Sequence, residues 1–161
     1  YTRYYQYTCI DEASRERFLF YYDEISPMAT VDFVMRCIKY FGYRPEEIQT
    51  DNGSEFTWNM ERIRRPHPLD KLCKELEIKH HRIRPRTPRH NGKVERSHRT
   101  DNERFYSRNI FFSLDDLRTK GARYLRSYNN TPMRTLSYRT PKMMRKLLIP
   151  LSPKLRFITI H

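Results

Sequence analysis

The sequence has little of what builds disulfide-bonded, zinc-binding or membrane proteins. Its three cysteines, Cys9, Cys37 and Cys73, are widely spaced and form no Cys-x-x-Cys pair, which favours small buried side chains in a reducing compartment over a disulfide framework. Cys73 lies near His80 and His81, but this spacing matches no common zinc pattern. The sequence shows no signal peptide, no internal repeat and no apolar run near the roughly 18 residues that span a membrane.

The chain is also short of acidic residues. Asp and Glu total 19 against 32 Lys and Arg, which gives a formal net charge of +13 over 161 residues. Such an excess indicates a polyanionic partner, because Lys and Arg neutralise phosphates and release condensed counterions. A basic protein that is merely soluble, or a ribosome-type binder, is the alternative. Aromatic residues make up 14% of the chain, so a packed core is expected rather than disorder.

Hydrophobic periodicity and capping residues predict a mixed α/β domain over residues 1–149. The predicted strands and helices are strands at 4–10, 16–22, 47–50 and 78–83, and helices at 27–41, 68–76, about 91–107, from 114 after a Ser113 cap, and from 141. Strands and helices alternate after an opening hairpin, which implies one mixed sheet flanked by helices. Residues 150–161 are expected to form a mobile C-terminal tail or partner arm.

Asp51 is the first candidate site residue. It follows the strand 47–50 and precedes an Asn52-Gly53 turn, and sites in α/β proteins usually lie at the carboxyl ends of strands. The tight turn allows the carboxylate to point into a cleft. An ordinary Asx turn is the alternative, because Asp-Asn-Gly forms turns in many settings.

Glu95 is the second candidate, in the first turns of a helix predicted to begin near Asn91 or Gly92. Residues 82–104 surround it with cations, namely Arg82, Arg84, Arg86, Arg89, Lys93, Arg96, Arg99 and Arg104. Such a density of charge fits a surface along which phosphates pass. A surface pair between Glu95 and Arg99, four residues apart, is the alternative.

Two carboxylates on rigid elements among arginines suggest a site that holds divalent metal against a phosphodiester. Mg²⁺ prefers carboxylate oxygens and retained waters. Two such ions about 3.5–4 Å apart can activate an attacking hydroxyl and stabilise the leaving oxygen. That chemistry normally uses three or more protein carboxylates, and this chain offers two obvious ones, Asp51 and Glu95.

Two segments resemble the core of integrase-type DDE transposases. They are residues 48–56, Ile-Gln-Thr-Asp-Asn-Gly-Ser-Glu-Phe, and residues 84–98, Arg-Pro-Arg-Thr-Pro-Arg-His-Asn-Gly-Lys-Val-Glu-Arg-Ser-His. The likeness is to retroviral integrases in outline and is closer to bacterial insertion-sequence transposases. Residues 7–15 resemble the second strand and turn of that family, and residues 138–141 resemble its C-terminal signature.

The resemblance implies an RNase H-like fold and DNA transposition or integration, in which DNA ends are cleaved and transferred by metal-assisted phosphoryl transfer. It implies Mg²⁺ or Mn²⁺ as cofactor, with two ions in the complete enzyme. Asp51 and Glu95 match the second and third catalytic, metal-binding acids of the family's triad. The family's first aspartate lies on a strand that would precede Tyr1. Asp11 belongs to the turn after the next strand, so it is expected to be a hairpin-turn acid near Arg15 or Arg17.

Two departures from the family pattern follow. The interval between the two acids, residues 52–94, is longer than is typical, and a loop insertion at 58–67 would account for it. The missing first strand is central in the RNase H-like sheet, so we expect a gap between the hairpin and the strand that ends at Asp51. The 161-residue chain is therefore expected to lack strand-transfer activity and to bind metal poorly until the upstream segment is restored.

The resemblance also implies the partners. DNA contacts are expected from the basic set that consists of Arg84, Arg86, Arg89, His90, Asn91, Lys93, Arg96 and Arg99. These are phosphate contacts by type and carry little sequence information. The partners would be double-stranded transposon ends and target DNA in the bacterial nucleoid, with no membrane, and pairing two ends implies at least a homodimer. A non-catalytic DNA-binding or assembly fragment is the alternative function, and an RNase H-like nuclease acting on RNA hybrids is a third.

Overall fold

The computed structural model describes residues 2–59, 61–84, 86–148 and 157–161, without the side chains of Asn91 and Phe157. In chain order the elements are β1 (Tyr5–Asp11), β2 (Arg17–Tyr22), α1 (Pro27–Phe41), β3 (Glu47–Thr50), α2 (Pro68–Glu75), β4 (Lys79–Arg82), α3 (Pro88–Arg104), α4 (Leu114–Asn129), α5 (Pro141–Leu148) and β5 (Phe157–Ile160). Short 3-10 turns at Tyr106–Arg108 and Arg134–Leu136 lie before and after α4. Within the described residues, no helix combines the length and hydrophobicity needed to cross a membrane.

Local sequence signals set the first half of the fold as predicted. β1 and β2 form the expected antiparallel hairpin, with Tyr5 opposite Tyr22. The side chain of Ser26 accepts a hydrogen bond from the Ala29 N–H at 3.1 Å and caps α1. Gly42 ends that helix in the left-handed region at φ 74°, a conformation that glycine adopts without steric cost.

The sheet has the strand order β2-β1-β5-β3-β4. β5 pairs antiparallel with β1, where Ile160 lies opposite Cys9, and parallel with β3, where Ile160 lies beside Thr50. The position between β1 and β3, where the sequence predicts a gap, therefore holds β5. The prediction of a tail was wrong for residues 157–160, whereas residues 149–156 lie outside the described part of the chain.

Burial explains why this short segment becomes a central strand. Ile158 is 1% exposed and Ile160 is fully buried, and both pack into the core that α1 and α2 cover, together with Ile48 and Phe33. Side chains alternate between the two faces of a strand. On the opposite face, Leu19, Tyr21 and neighbouring residues of β2 pack against α4. The sheet is thus covered by helices on both faces.

The second half of the chain departs from prediction mainly in its boundaries. α3 begins at Pro88 rather than near Asn91, because the fixed φ of proline suits the first helical position. Glu95 therefore lies about two turns into the helix rather than one turn into it. The segment 58–67, predicted to be a loop insertion, contains no helix or strand in its described residues.

Candidate active site

Asp51 lies immediately after β3 and is half-buried. Its Oδ1 accepts a hydrogen bond from the Gly53 N–H at 2.7 Å, and Asn52 Nδ2 donates to the Ile83 carbonyl at 2.8 Å. The Asx turn considered as the alternative is thus present. It occupies one carboxylate oxygen, and among the described residues Oδ2 has no hydrogen-bond partner. The turn fixes the carboxylate and leaves an oxygen free to bind a ligand.

A chain of polar contacts holds the end of β3 beneath Asp51. His80 on β4 contacts Thr50 Oγ1 through Nε2 at 2.7 Å and Asp70 Oδ1 on α2 through Nδ1 at 2.6 Å. Thr50 Oγ1 in turn lies 3.0 Å from the Asp51 carbonyl oxygen. From the sequence, His80 was considered only as a zinc ligand, and this contact was missed. The sequence feature that indicates it is a polar residue, Thr50 or His80, within each of two short strands.

Glu95 is exposed on α3. In the part of the chain that the structure describes, its carboxylate has no hydrogen bond or ion pair, so the Glu95–Arg99 surface pair considered as the alternative does not form. His98 lies three residues further along the helix and therefore on a neighbouring part of the same side. Its ring centroid is 6.0 Å from that of His161, the residue that follows β5.

The sheet register shows which face of the sheet Asp51 lies on and how α3 sits relative to it. Ile48 points to the face covered by α1 and α2, so the alternation of side chains places Asp51 on the opposite face. Ile160 lies beside Thr50 in the adjacent parallel strand. His161 and Asp51 are the next residues of the two strands, so their side chains lie on the same face. Because His98 of α3 lies against His161, α3 lies over β5 on this face, with Glu95 exposed on the helix.

A buried ion pair fixes α3 on the sheet. Arg17 of β2 donates two hydrogen bonds to Asp101, Nη1 to Oδ1 at 2.9 Å and Nη2 to Oδ2 at 2.8 Å, and both side chains are 2% exposed or less. Tyr124 and Gln6 donate to the same carboxylate at 2.6 and 3.2 Å. Burial opposes the charge on Asp101, but the hydrogen bonds and charge of Arg17 hold its pKa below the usual value.

Sequence reasoning missed this ion pair. Its only sequence signal is a cation, Arg17, that begins the apolar run of β2. The partner lies 84 residues away along the chain.

The predicted DNA-binding residues divide into groups. Those exposed to solvent are Arg84, Arg86, Arg89, Lys93, Arg96 and Arg99. His90 is half-buried, and the side chain of Asn91 lies outside the described residues. Lys93 lies 3.8 Å from Glu12, and together with His90 and Arg96 it lines a cavity between α3 and the hairpin. The structure therefore brings part of the basic set to the hairpin side of α3.

Asp11 has a structural role at the hairpin. It is 3% exposed, its Oδ1 accepts from the Ala13 N–H at 3.1 Å, and its Oδ2 accepts from the Tyr43 hydroxyl at 3.0 Å. These contacts are those of the hairpin-turn acid that the sequence predicts. The expected arginine partners pair elsewhere, since Arg15 contacts Glu12 and Arg17 contacts Asp101.

The carboxylate oxygens of the two candidate acids are of the type that binds hard divalent cations. Asp51 and Glu95 each offer carboxylate oxygen, the ligand type that Mg²⁺ prefers. Across the described ranges, no group of three His, Cys, Asp or Glu side chains is close enough to hold a metal ion. The cysteines take no part, because Cys9, Cys37 and Cys73 are buried free thiols.

Comparison with solved structures identifies the fold. The chain is similar to the catalytic core domain of BIV integrase, with a TM-score of 0.69 and 19% identity over 92% of this chain and 90% of that one. It is similar to the HTLV-2 integrase catalytic core domain in complex with magnesium, with a TM-score of 0.65 and 19% identity over 88% and 84% of the two chains. A chain of the simian T-cell lymphotropic virus intasome matches with a TM-score of 0.69 and 19% identity over 88% of this chain and 48% of that one. The fold is RNase H-like, as predicted.

Sequence comparison identifies the family. The ORF3 protein of Spiroplasma virus SpV1-C74, provisionally named an integrase, is 29% identical over 148 residues, which cover 86% of this chain and 41% of that protein. The chain thus spans about two fifths of the length of this curated relative. Residues 1–88 match one family described as Integrase core domain, and residues 76–141 match a second family of the same description. The protein belongs to the integrase core domain family.

Proposed function

We propose that this protein is the catalytic core of a DNA transposase or integrase, which cleaves DNA ends and joins them to a target by phosphoryl transfer. The observation that carries the proposal is that Asp51, fixed by the turn at the end of β3, and Glu95, exposed on α3, each keep a carboxylate oxygen without a partner among the described residues. Family membership supports it. The intasome named for one structural neighbour is an assembly of the kind in which such a core would act.

Asp51 and Glu95 would hold the metal, Mg²⁺ or Mn²⁺. When bound, the cation would activate the attacking hydroxyl and stabilise the leaving oxygen. Water and substrate phosphate commonly complete the coordination of Mg²⁺ beside one or two carboxylates, so the two acids suffice in kind for one ion. A second ion would require a further acid, which the described residues do not bring into a cluster.

The remaining contacts position these acids and the DNA. The Gly53 N–H and the contact between Thr50 and His80 hold Asp51 at the end of β3. The pair of Arg17 and Asp101 holds the helix that carries Glu95. The exposed arginines before and along α3 would neutralise the phosphates of double-stranded DNA and set its position without reading its sequence. Pairing two DNA ends would require at least two copies of the chain.

The test combines metal binding with strand transfer. With the upstream segment that the resemblance implies restored, we expect Asp51→Asn and Glu95→Gln each to lower Mn²⁺ affinity, measured by electron paramagnetic resonance, and to reduce strand transfer on labelled oligonucleotides by about 100-fold or more. Glu103→Gln is the matched control, because Glu103 is an exposed acid at the other end of the same helix. It should leave both measurements unchanged.

The outcomes separate the candidate functions. Equal Mn²⁺ binding by the parent and by Asp51→Asn, with DNA binding intact, would favour a non-catalytic DNA-binding or assembly module. Cleavage of RNA–DNA hybrids in preference to duplex DNA would favour an RNase H-like nuclease.

A further inference from the structure

A cavity of about 310 Å³ lies between α3, the β1–β2 hairpin and the chain after α4. From α3 it is lined at positions 90, 93, 94, 96, 97 and 100, which share one side of the helix and form a broad stripe. Glu95 is not part of this stripe and lies on the other flank of the helix. The cavity is therefore distinct from the two-carboxylate site, although the same helix borders both.

The cavity wall carries an excess of positive charge. Arg15 and Arg17 line it from the hairpin, and Lys93 and Arg96 line it from α3. Glu12 is the acidic residue among its described lining residues. Its carboxylate is already engaged, by Arg15 at 3.2 Å and Lys93 at 3.8 Å, and by the Thr159 hydroxyl at 2.6 Å. A ligand that enters would meet cations that are not fully neutralised.

Two buried polar atoms on the wall need partners. Arg17 is 1% exposed; its two Nη atoms bond to Asp101, and among the described residues its Nε has no hydrogen-bond partner. The Nδ1 of His161 is also buried and without a described partner. Buried polar atoms in native proteins are nearly always hydrogen-bonded. Both residues line the cavity, so a small shift of the wall would bring these atoms within reach of a ligand with polar edges.

The electrostatic setting of His161 agrees with this picture. Burial, helped by the positive charge of Arg17, lowers the pKa of His161 to about 4. The cavity thus keeps this imidazole neutral at physiological pH and presents a positive potential to a ligand.

The rest of the wall is apolar and aromatic. Val94, Ile10, Met133 and the ring of Tyr128 contribute to it, and the guanidinium of Arg17 lies 4.5 Å from the centroid of the Tyr128 ring. The volume lies at the lower end of small-molecule sites, about 300–1,000 Å³. A bare phosphate would leave most of this space unfilled. A phosphate joined to a flat, partly apolar group would contact both the cationic part and the apolar part of the wall.

We propose that this cavity binds a single unpaired nucleotide, with its phosphate at Arg15, Lys93 and Arg96 and its base against Val94 and Tyr128. The polar edge of the base would meet Arg17 Nε and His161 Nδ1. The inference rests on the proposed function in one respect, since a strand end of bound DNA is the expected source of the nucleotide. A free mononucleotide has the same chemistry and is the other source.

The test measures binding of the full chain to fluorescein-labelled DNA duplexes in EDTA, so that no metal-dependent step contributes. A duplex with a short single-stranded extension is expected to bind about tenfold more tightly than the blunt duplex, because one base gains a stacking partner. Ser97→Phe and Thr135→Phe fill the cavity from opposite walls without a change of charge. Each variant should bind the extended duplex and the blunt duplex with equal affinity. Thr119→Phe, on an exposed position of α4 outside the cavity, should preserve the tenfold ratio.

Each outcome decides the proposal. Equal affinity of the parent for both duplexes, or a ratio that persists in both filled variants, would overturn it. Thermal unfolding and blunt-duplex affinity show whether the variants are folded. Competition with dAMP and dTMP identifies the source: displacement of the extended strand indicates a free mononucleotide, and retention indicates a strand end. Loss of the proposed function would appear in the Mn²⁺ titrations of Asp51→Asn and Glu95→Gln, which the cavity does not affect.

Discussion

At the scale of single residues, the contact between Arg17 and Asp101 links β2 to the helix that carries Glu95. Both side chains are almost fully buried, and the hydroxyl of Tyr124 adds a third donor to the same carboxylate. A buried pair of this kind adds little net stability compared with apolar residues of the same size. Removal of one partner, however, leaves the other charge buried and unpaired. The pair therefore fixes where α3 sits more than it strengthens the fold.

Asp101→Asn is expected to destabilise the protein by about 3–5 kcal/mol, because Arg17 remains buried without a counter-charge. The measurement is urea unfolding followed by circular dichroism. The double variant Arg17→Met with Asp101→Leu should recover most of the loss. Asp23→Asn, at an exposed position, should stay within about 0.5 kcal/mol of the parent. A similarly small effect of Asp101→Asn would show that the guanidinium is satisfied without the carboxylate.

At the scale of elements, β5 joins two parts of the sheet that would otherwise not touch. It bonds to β1 on one side and to β3 on the other, and its position sets the distance between the hairpin and Asp51. Residues on a central strand are buried on both faces and hydrogen-bonded on both sides, so their substitution is felt across the whole sheet.

Ile160→Ala is expected to lower the free energy of unfolding by about 2–5 kcal/mol, since the side chain is fully buried in a packed core. Ile25→Ala is the matched control, because Ile25 is 51% exposed, and it should have little effect. Hydrogen exchange should show slow exchange of the His161 amide, which donates to the Thr8 carbonyl at 3.0 Å. Rapid exchange there, or a neutral Ile160→Ala, would contradict the central position of β5.

At the scale of the whole molecule, the net charge of +13 would govern the proposed encounter with DNA. Each phosphate that the protein neutralises adds about 0.9 to the slope of log affinity against log salt concentration. Arg99→Gln should reduce that slope by about 1 and weaken binding equally for all duplex sequences. Arg44→Gln is the control, since Arg44 is exposed on the loop after α1 and lies 3.8 Å from Glu77. The salt slope of Arg44→Gln should match that of the parent. An unchanged slope for Arg99→Gln would show that Arg99 does not contact DNA phosphate.

Within the whole molecule, the sequence predicts the features that depend on neighbouring residues better than those that depend on distant ones. The cap at Ser26, the glycine at Gly42 and the turn after Asp51 are local, because each depends on atoms a few residues apart, and all three were predicted. β5 was missed because four residues carry too little periodicity to mark a strand, and its partners lie far away in the chain. The pair of Arg17 and Asp101 was missed because its residues come together only when the sheet and α3 are assembled.

The central strand also has a kinetic consequence. Because β5 contacts residues 9–11 and 47–50 from the far end of the chain, its docking closes very long loops, and such contacts form late and slowly. Until it docks, β1 and β3 each present an unpaired edge that another chain can occupy. Refolding should therefore become less efficient as protein concentration rises, and a partner strand supplied in trans would compete for the groove that β5 fills.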